Sequence, residues 1–258
     1  MIPLARREAI LDKLNKMSFV SIASLATELK VSQMTIRRDV SKLEEEGLVI
    51  QVSGGVRTTK RLHNEPSHDE KYLLCSEEKI SIGKLAAKMV AHNSCIYLDA
   101  GTTSLAMSNY LCERDDLTII TNDLVVAHNI ASNSNNTIIM VGGLIRTRNL
   151  STVGHLTLNT LEGLSIDVAF LSASSFDIRG ITTPDPDKVI VKQKVASMAT
   201  KRILICDSSK YGQVATYIAV PLCQINTIIT DSQLSLDGQN TLSKSGCELL
   251  IAPDEDDN

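Results

Sequence analysis

The chain has 258 residues, which size alone limits to one or two domains. Hydrophobic residues make up 43% and aromatics only 3%, with no Trp, so the expected core is aliphatic and extensive disorder is excluded. The net charge of −4 speaks against a uniformly basic nucleic-acid binder, yet residues 1–61 hold 11 Lys/Arg against 7 Asp/Glu while the remainder carries a net −8, a basic head on an acidic body.

Three further classes drop out on motif grounds. The six cysteines (Cys75, Cys95, Cys112, Cys206, Cys223, Cys247) lack C-x-x-C spacing and have no His at ligand distance, so neither a metal centre nor a disulfide framework is expected. The opening MIPLARREAI has arginines but no long apolar core behind them, so no signal peptide is expected. No apolar stretch reaches membrane-spanning length, and the expected compartment is the cytoplasm.

In chain order, Ile10, Leu11 and Leu14 recur at helical spacing and predict a first short helix. Phe19-Val20-Ser21 leans toward β structure, and Ser21 or a neighbour caps a second helix carrying Ile22, Leu25, Ala26 and Leu29 inward. Lys30-Val31 makes a turn. Ser32 is placed as N-cap of a third helix, QMTIRRDVSKLEEE (33–46), that buries Ile36, Val40 and Leu43 and stops at Gly47. LVIQVSGGVRTT (48–59) reads as a two-stranded hairpin turning near Ser53-Gly54-Gly55. Three helices and a wing describe a winged helix-turn-helix. Its third helix presents Ser32, Gln33, Met34, Thr35, Arg37 and Arg38 at the end that enters a major groove. Gln pairs with adenine, Arg forks onto guanine, and Met or a Thr methyl meets a thymine methyl. The two arginines point about 100° apart on a helix, so one is expected on a base and the other on phosphate or on Asp39. The bland alternative is a solvated helix with an incidental arginine pair.

Residues 58–78 are polar and aperiodic and read as a linker, with solvated histidines. From 79 to 253 short apolar strands alternate with helices: SCIYLDA, LTIIT, TIIMVGG, VAFLSAS, RILICD and TIITD. That alternation predicts an α/β domain on a mostly parallel sheet, whose ligands sit at the carboxyl ends of the strands. Polar residues gather at those ends: Asp99, Gly101, Thr102 and Thr103; Thr121, Asn122 and Asp123; Gly142 and Gly143; Asp207 and Lys210. DAGTT (99–103) is either a phosphate-binding turn, with Gly101 letting the backbone close on the anion, or an ordinary helix cap. Lys192 and Lys210 are candidate anion contacts, and Asp99 and Asp207 either bond ligand hydroxyls or tie down loops. Neither a Walker A loop nor a G-x-G-x-x-G fingerprint occurs, so no nucleotide cofactor is expected. Residues 254–258 read as an acidic tail.

VSQMTIRRDVSKLEEEGLV (31–49), followed by paired glycines, resembles the DeoR family of bacterial regulators, and the likeness runs on through DAGTT, ITN (120–122), Gly142-Gly143, DVAFLSASSFD (167–177), Gly180-Ile181-Thr182, Lys192, ICDSSKYG (205–212) and ITD (229–231). The resemblance implies a sugar-phosphate-isomerase-like α/β sensor behind the winged head. It also implies a phosphorylated sugar or acid-sugar effector that changes affinity for double-stranded operator DNA, and a homo-oligomer, dimer or tetramer. SGGV (53–56) and EPSH (65–68) resemble a subgroup tied to four-carbon acid-sugar catabolism. Two departures stand out. Gln51, Val52 and Ser53 replace the Arg and His common before the glycine pair, which suggests a weaker or altered wing contact. Ser172 stands where the family commonly has Gly. The alternative function is an isomerase-like enzyme fused to a DNA-binding head; it needs an acidic cluster, and only Asp177 lies near that position.

Overall fold

The computed structural model describes residues 2–17, 19–52, 54–58 and 60–254. Ser53, at the predicted wing turn, and 255–258 of the expected tail lie outside the described residues.

Local signals set the head. In α1 (Pro3–Lys16) Ile10 and Leu14 turn inward and Leu11 packs at their edge. β1 (Phe19–Ser21) runs directly into α2 (Ile22–Glu28), where Ser21 Oγ accepts the Ser24 N–H at 3.0 Å. Ser32 Oγ does the same for α3 (Gln33–Glu45), accepting the Thr35 N–H at 3.1 Å. Each cap satisfies a helix-end donor and contributes about 1 kcal/mol. α3 closes with two backbone bonds, Gly47 N–H to Glu44 C=O at 2.8 Å and Leu48 N–H to Leu43 C=O at 2.9 Å, which require the left-handed φ of +70° at Gly47. The wing has one strand more than expected. β2 (Val49–Val52) and β3 (Gly55–Thr58) form the hairpin, and β1 pairs antiparallel with the far side of β3. Ile36, Val40, Leu43, Val49 and Val56 fill the space between helices and wing.

Asp39 corrects an expectation. Its carboxylate is buried and binds the Arg6 guanidinium of α1 at two points, one of them Arg6 Nη2 to Asp39 Oδ1 at 3.1 Å, so it is engaged by α1 and not by Arg37 or Arg38.

The linker is structured. It holds β4 (Lys60–Leu62) and α4 (His68–Tyr72), the latter closed by a reciprocal cap between Ser67 and Glu70. His68 is buried and not solvated as expected, while His63 is exposed.

The second unit follows in alternation: α5 (Ser76–Lys88), β5 (Cys95–Leu98), α6 (Thr102–Leu111), β6 (Thr118–Thr121), α7 (Leu124–Asn133), β7 (Thr137–Met140), the hairpin of β8 (Leu144–Arg146) and β9 (Ser151–Val153), then α8 (His155–Leu161) and β10 (Ile166–Leu171). After it come β11 (Ser175–Asp177), β12 (Gly180–Thr183), α9 (Pro186–Met198), β13 (Ala199–Ile205), β14 (Gln213–Ala215), β15 (Tyr217–Pro221), β16 (Thr227–Asp231), α10 (Leu236–Ser243) and β17 (Glu248–Ala252). Seven strands form one parallel sheet in the order β17-β16-β13-β10-β5-β6-β7. Alternate residues serve opposite faces. Tyr97, Ala169, Leu171 and Leu204 pack toward α8 and α9, while Ile96, Leu98, Phe170 and Ile203 pack toward α5, α6 and α7. β17 went unrecognised in the sequence; ELLIA (248–252) is an edge strand and one of its residues, Ala252, is the buried one.

Head and sensor share core. Ile50 of β2 is buried within the cluster that contains Tyr211 and Ala219 of the sensor. Gly212 makes room for it: a Cβ there would lie 2.2 Å from Ile50 Cδ1, and its φ is +76°. Arg57 donates to the Tyr211 carbonyl at 3.3 Å, and β4 pairs parallel with β14. Gln51 faces inward, donating through its backbone N–H (2.8 Å) and Nε2 (2.9 Å) to Glu44, which also accepts from Thr241 of α10 at 3.1 Å. Burial pushes the Glu44 carboxyl above its ordinary range, against the bonds from Gln51 and Thr241.

Asp39→Ala removes the carboxylate that holds the Arg6 guanidinium of α1 against α3. The expected loss is about 2 kcal/mol of unfolding free energy in urea denaturation; a loss below about 0.5 kcal/mol would show that the pair does not hold α1 to α3.

Candidate functional site

Two surfaces carry the candidate residues. On the head, Ser32, Gln33, Met34, Arg37 and Arg38 are exposed and Thr35 is half-buried. Met34, a hydrophobe, is 78% exposed. The caps explain the display: Ser32 and Thr35 are bonded to each other at the helix start (2.9 Å between hydroxyls), so the side chains between and after them point outward while Ile36 and Val40 anchor the opposite face.

On the sensor, the sheet order reverses beside β5. Its chain continues to β6 on one side, while its other neighbour is β10. The loops after β5 and β10 therefore diverge and leave a crevice at the strand ends. The structure brings Asp99, Gly101, Thr102, Thr103, Asn122, Lys192, Asp207 and Lys210 to this crevice, where they line two small adjoining cavities of about 20 and 30 Å³. Thr121, Gly142 and Gly143 are not among them; the glycines are exposed at the β7–β8 turn, where a Cβ added to Gly143 would lie 2.1 Å from Thr157 Oγ1.

Several polar groups expected to face a ligand are already engaged. Asp99 binds Lys192 Nζ and accepts from Ser172 N–H (3.0 Å) and Ala100 N–H (2.9 Å), and Lys192 also donates to the Ser172 carbonyl at 2.7 Å. Asp99 and Lys192 thus form a buried brace that joins β5, β10 and α9. Ser172 in place of Gly completes it, since its hydroxyl donates to the Ala100 carbonyl at 2.7 Å. Thr121 Oγ1 donates to the Leu98 carbonyl at 2.7 Å, and Asn122 spans Tyr97 (2.8 Å) and the Thr152 carbonyl (3.0 Å). The Gly101 N–H, expected to meet an anion, donates to Asp123 at 3.0 Å, and the Gly101 backbone is extended. Glycine is explained there by Ser172, whose Cβ would lie 3.2 Å from an added Cβ. Asp123 in turn caps α7, and burial raises its carboxyl against those backbone bonds. Asp207 accepts from Ser209 Oγ.

What is left for a ligand is the start of α6, Lys210, and a set of residues that sequence reading missed. Gly101 has no side chain with which to cap Thr102 and Thr103, so the first turn of α6 carries N–H groups directed at the smaller-numbered end of the helix. Around it stand Lys71 and Lys188, both bonded to Glu65, and Lys79, which donates to the Lys71 and Leu74 carbonyls. Burial draws the ammonium groups of Lys71 and Lys79 below their ordinary range. Glu65 is opposed by burial too, but Lys188 and then Lys71 more than offset it and hold its carboxyl well below the usual range. In the sequence EPSH carries only the subgroup resemblance, and nothing periodic points to Lys71 or Lys188. A larger open groove of about 580 Å³ lies outside the α6 start, lined mostly by apolar atoms from α4 to α7; it shares Thr102 and Lys79 with the crevice.

Asp177, the acid that isomerase chemistry would require, is paired with Arg179 (2.7 Å) at the seam where Arg179 meets Gly47. Among the described residues no cluster of three or more His, Cys, Asp or Glu is placed to hold a metal, and no helix is long and apolar enough to cross a membrane.

An exposed recognition helix joined to a lysine-rich crevice defines a helix-turn-helix regulator with a separate sensor. Family comparison agrees. A DeoR-like helix-turn-helix domain matches residues 6–61 and a DeoR C-terminal sensor domain matches 74–232. The HTH-type transcriptional regulator YgbI of Escherichia coli K12 is 49% identical over 255 residues, covering 99% of this chain and all of that one. The HTH-type transcriptional repressor GlcR of Bacillus subtilis 168 is 30% identical over 97% of each chain. The chain belongs to the DeoR family of transcriptional regulators. Among solved structures, ribose 5-phosphate isomerase A of Methanocaldococcus jannaschii aligns with 52% of this chain and 53% of its own at a TM-score of 0.38 and 15% identity.

Asp99→Asn leaves Lys192 buried against a neutral amide. It is expected to cost about 3 kcal/mol in urea unfolding. A change near zero would mean that Lys192 finds another anion.

Proposed function

We propose that the protein represses a carbohydrate or acid-sugar catabolic operon in the cytoplasm and is released or tightened by a phosphorylated effector. The observation that carries the DNA reading is the outward display of Gln33, Met34, Arg37 and Arg38 on α3 next to the Ser32–Thr35 cap. The repressor role rests on relatives such as GlcR. Residues 1–57 are taken as the DNA-binding unit and 79–253 as the effector and oligomer unit. A palindromic operator requires two recognition helices about 34 Å apart, hence a dimer or tetramer. For the effector, the support is a positive crevice: Lys71, Lys79, Lys188 and Lys210 converge near the uncapped start of α6, a setting that favours a phosphate. A four-carbon acid-sugar phosphate is the specific candidate, on the strength of SGGV and EPSH. The engaged Asp99–Lys192 pair moves the ligand's place from that brace toward Thr102, Thr103 and Lys210.

Fluorescence anisotropy on the promoter regions beside its own gene, with a panel of sugar and acid-sugar phosphates, tests both halves. Arg37→Ala is expected to weaken operator binding about tenfold, the worth of one good base contact, with thermal stability unchanged. Equal affinity would remove Arg37 from the interface. Thr102→Ala with Thr103→Ala is expected to abolish the phosphate response and spare DNA binding without effector; a normal response would move the effector elsewhere.

A further inference from the structure

Glu65 is a linker residue whose carboxylate lies inside the sensor. Its Oε1 accepts from Lys71 Nζ at 2.8 Å, and its Oε2 accepts from Lys188 Nζ at 2.6 Å and from Asn149 Nδ2 at 3.1 Å. The three donors come from α4, α9 and the β8–β9 loop, and the carboxylate is about nine-tenths buried. No hydrophobic or turn requirement places an acid there.

The same side chain walls three cavities. Two are the inner ones of about 20 and 30 Å³, which both touch Ala100 and Ser172. Each has room for about one water. The third is an outer bowl of about 400 Å³, lined by His63, Asn64, Arg146 and Arg148. A phosphorylated sugar does not fit either inner cavity as it stands. Withdrawing Glu65 would join bowl and crevice and leave Lys71 and Lys188 facing each other across the opening.

We infer that Lys71, Lys188 and Asn149 form an anion subsite that Glu65 occupies from within the chain, and that a phosphate or carboxylate group of the effector enters by displacing Glu65. The inference rests on the reading of the crevice as an anion site. It also supplies a route to the DNA head. Glu65 follows β4 by three residues, and β4 leads directly from wing strand β3 and pairs with β14 just after the Lys210 segment. Expelling Glu65 therefore pulls on the one stretch of chain that connects wing and sensor.

The test uses full-length protein, with inorganic phosphate and acetate as probes in separate titrations by calorimetry. Glu65→Gln is expected to bind phosphate about tenfold more tightly than the parent, as a charge-assisted contact is freed, and adding Lys188→Gln should remove the gain. A gain for acetate instead assigns the subsite to a carboxylate; either gain supports displacement. If the variant melts at a lower temperature, saturating phosphate should restore it; failure to restore it counts against the subsite. Equal phosphate and acetate affinities in parent and Glu65→Gln, with phosphate binding lost in the Thr102→Ala, Thr103→Ala variant, would overturn displacement and leave the crevice reading intact. No binding of either anion by any variant would overturn both.

Discussion

Ammonium groups taken out of water need oxygen partners, and the sensor is organised around that need: Lys79 takes the Lys71 and Leu74 carbonyls, while the other buried lysines take carboxylates. Asp99 meets Lys192 beneath the diverging loops of β5 and β10, and Glu65 meets Lys71 and Lys188 above them. The first pair is internal to the sheet and its covering helix, so it braces the crevice. The second is made by a residue from outside the sheet, so its anion is the exchangeable one. A site that keeps its cations buried without ligand needs such a substitute, because isolated ammonium groups at that depth would otherwise cost several kcal/mol each.

Buried packing ties this chemistry to the head. Ile50 belongs to the sensor's core although it stands on the wing, and Gly212, two residues beyond Lys210, is the residue that admits it. Glu44 receives Gln51 from its own unit and Thr241 from the sensor. The residues that replace the family's usual Arg and His in the wing thus include one, Gln51, that is spent on holding the wing to α3 and the seam. A rearrangement around Lys210 would reach the wing through direct contact and through the β4–β14 pairing, without a long chain of intermediates.

The head was legible because its determinants are near in sequence. Ser21 and Ser32 bond three residues on, Gly47 closes the helix it follows, and the apolar spacing of α3 names its own buried face. Six of the seven strands of the parallel sheet were legible as short apolar runs; its edge strand β17 and the short strands β8, β9, β11, β12, β14 and β15 were not. Of the strand-end polar residues, Asp99, Gly101, Thr102, Thr103, Asn122, Asp207 and Lys210 share the crevice, while Thr121, Gly142 and Gly143 do not line it. Which of them were free was not legible: Asn122 is consumed by Tyr97 and Thr152, and Asp39 by Arg6, 33 positions away.

The sequence by itself determined the class of protein, through its resemblance to the DeoR family, and the winged head, the α/β unit and their order, because periodicity, capping and turn chemistry act over a few residues. Only the tertiary structure decided which charges pair. Glu65 and Lys188 are 123 positions apart, and no local pattern encodes their meeting. Their partnership arises from sheet order, which sets β5 against β10 and swings α9 over the crevice, and from the return of the linker across its mouth.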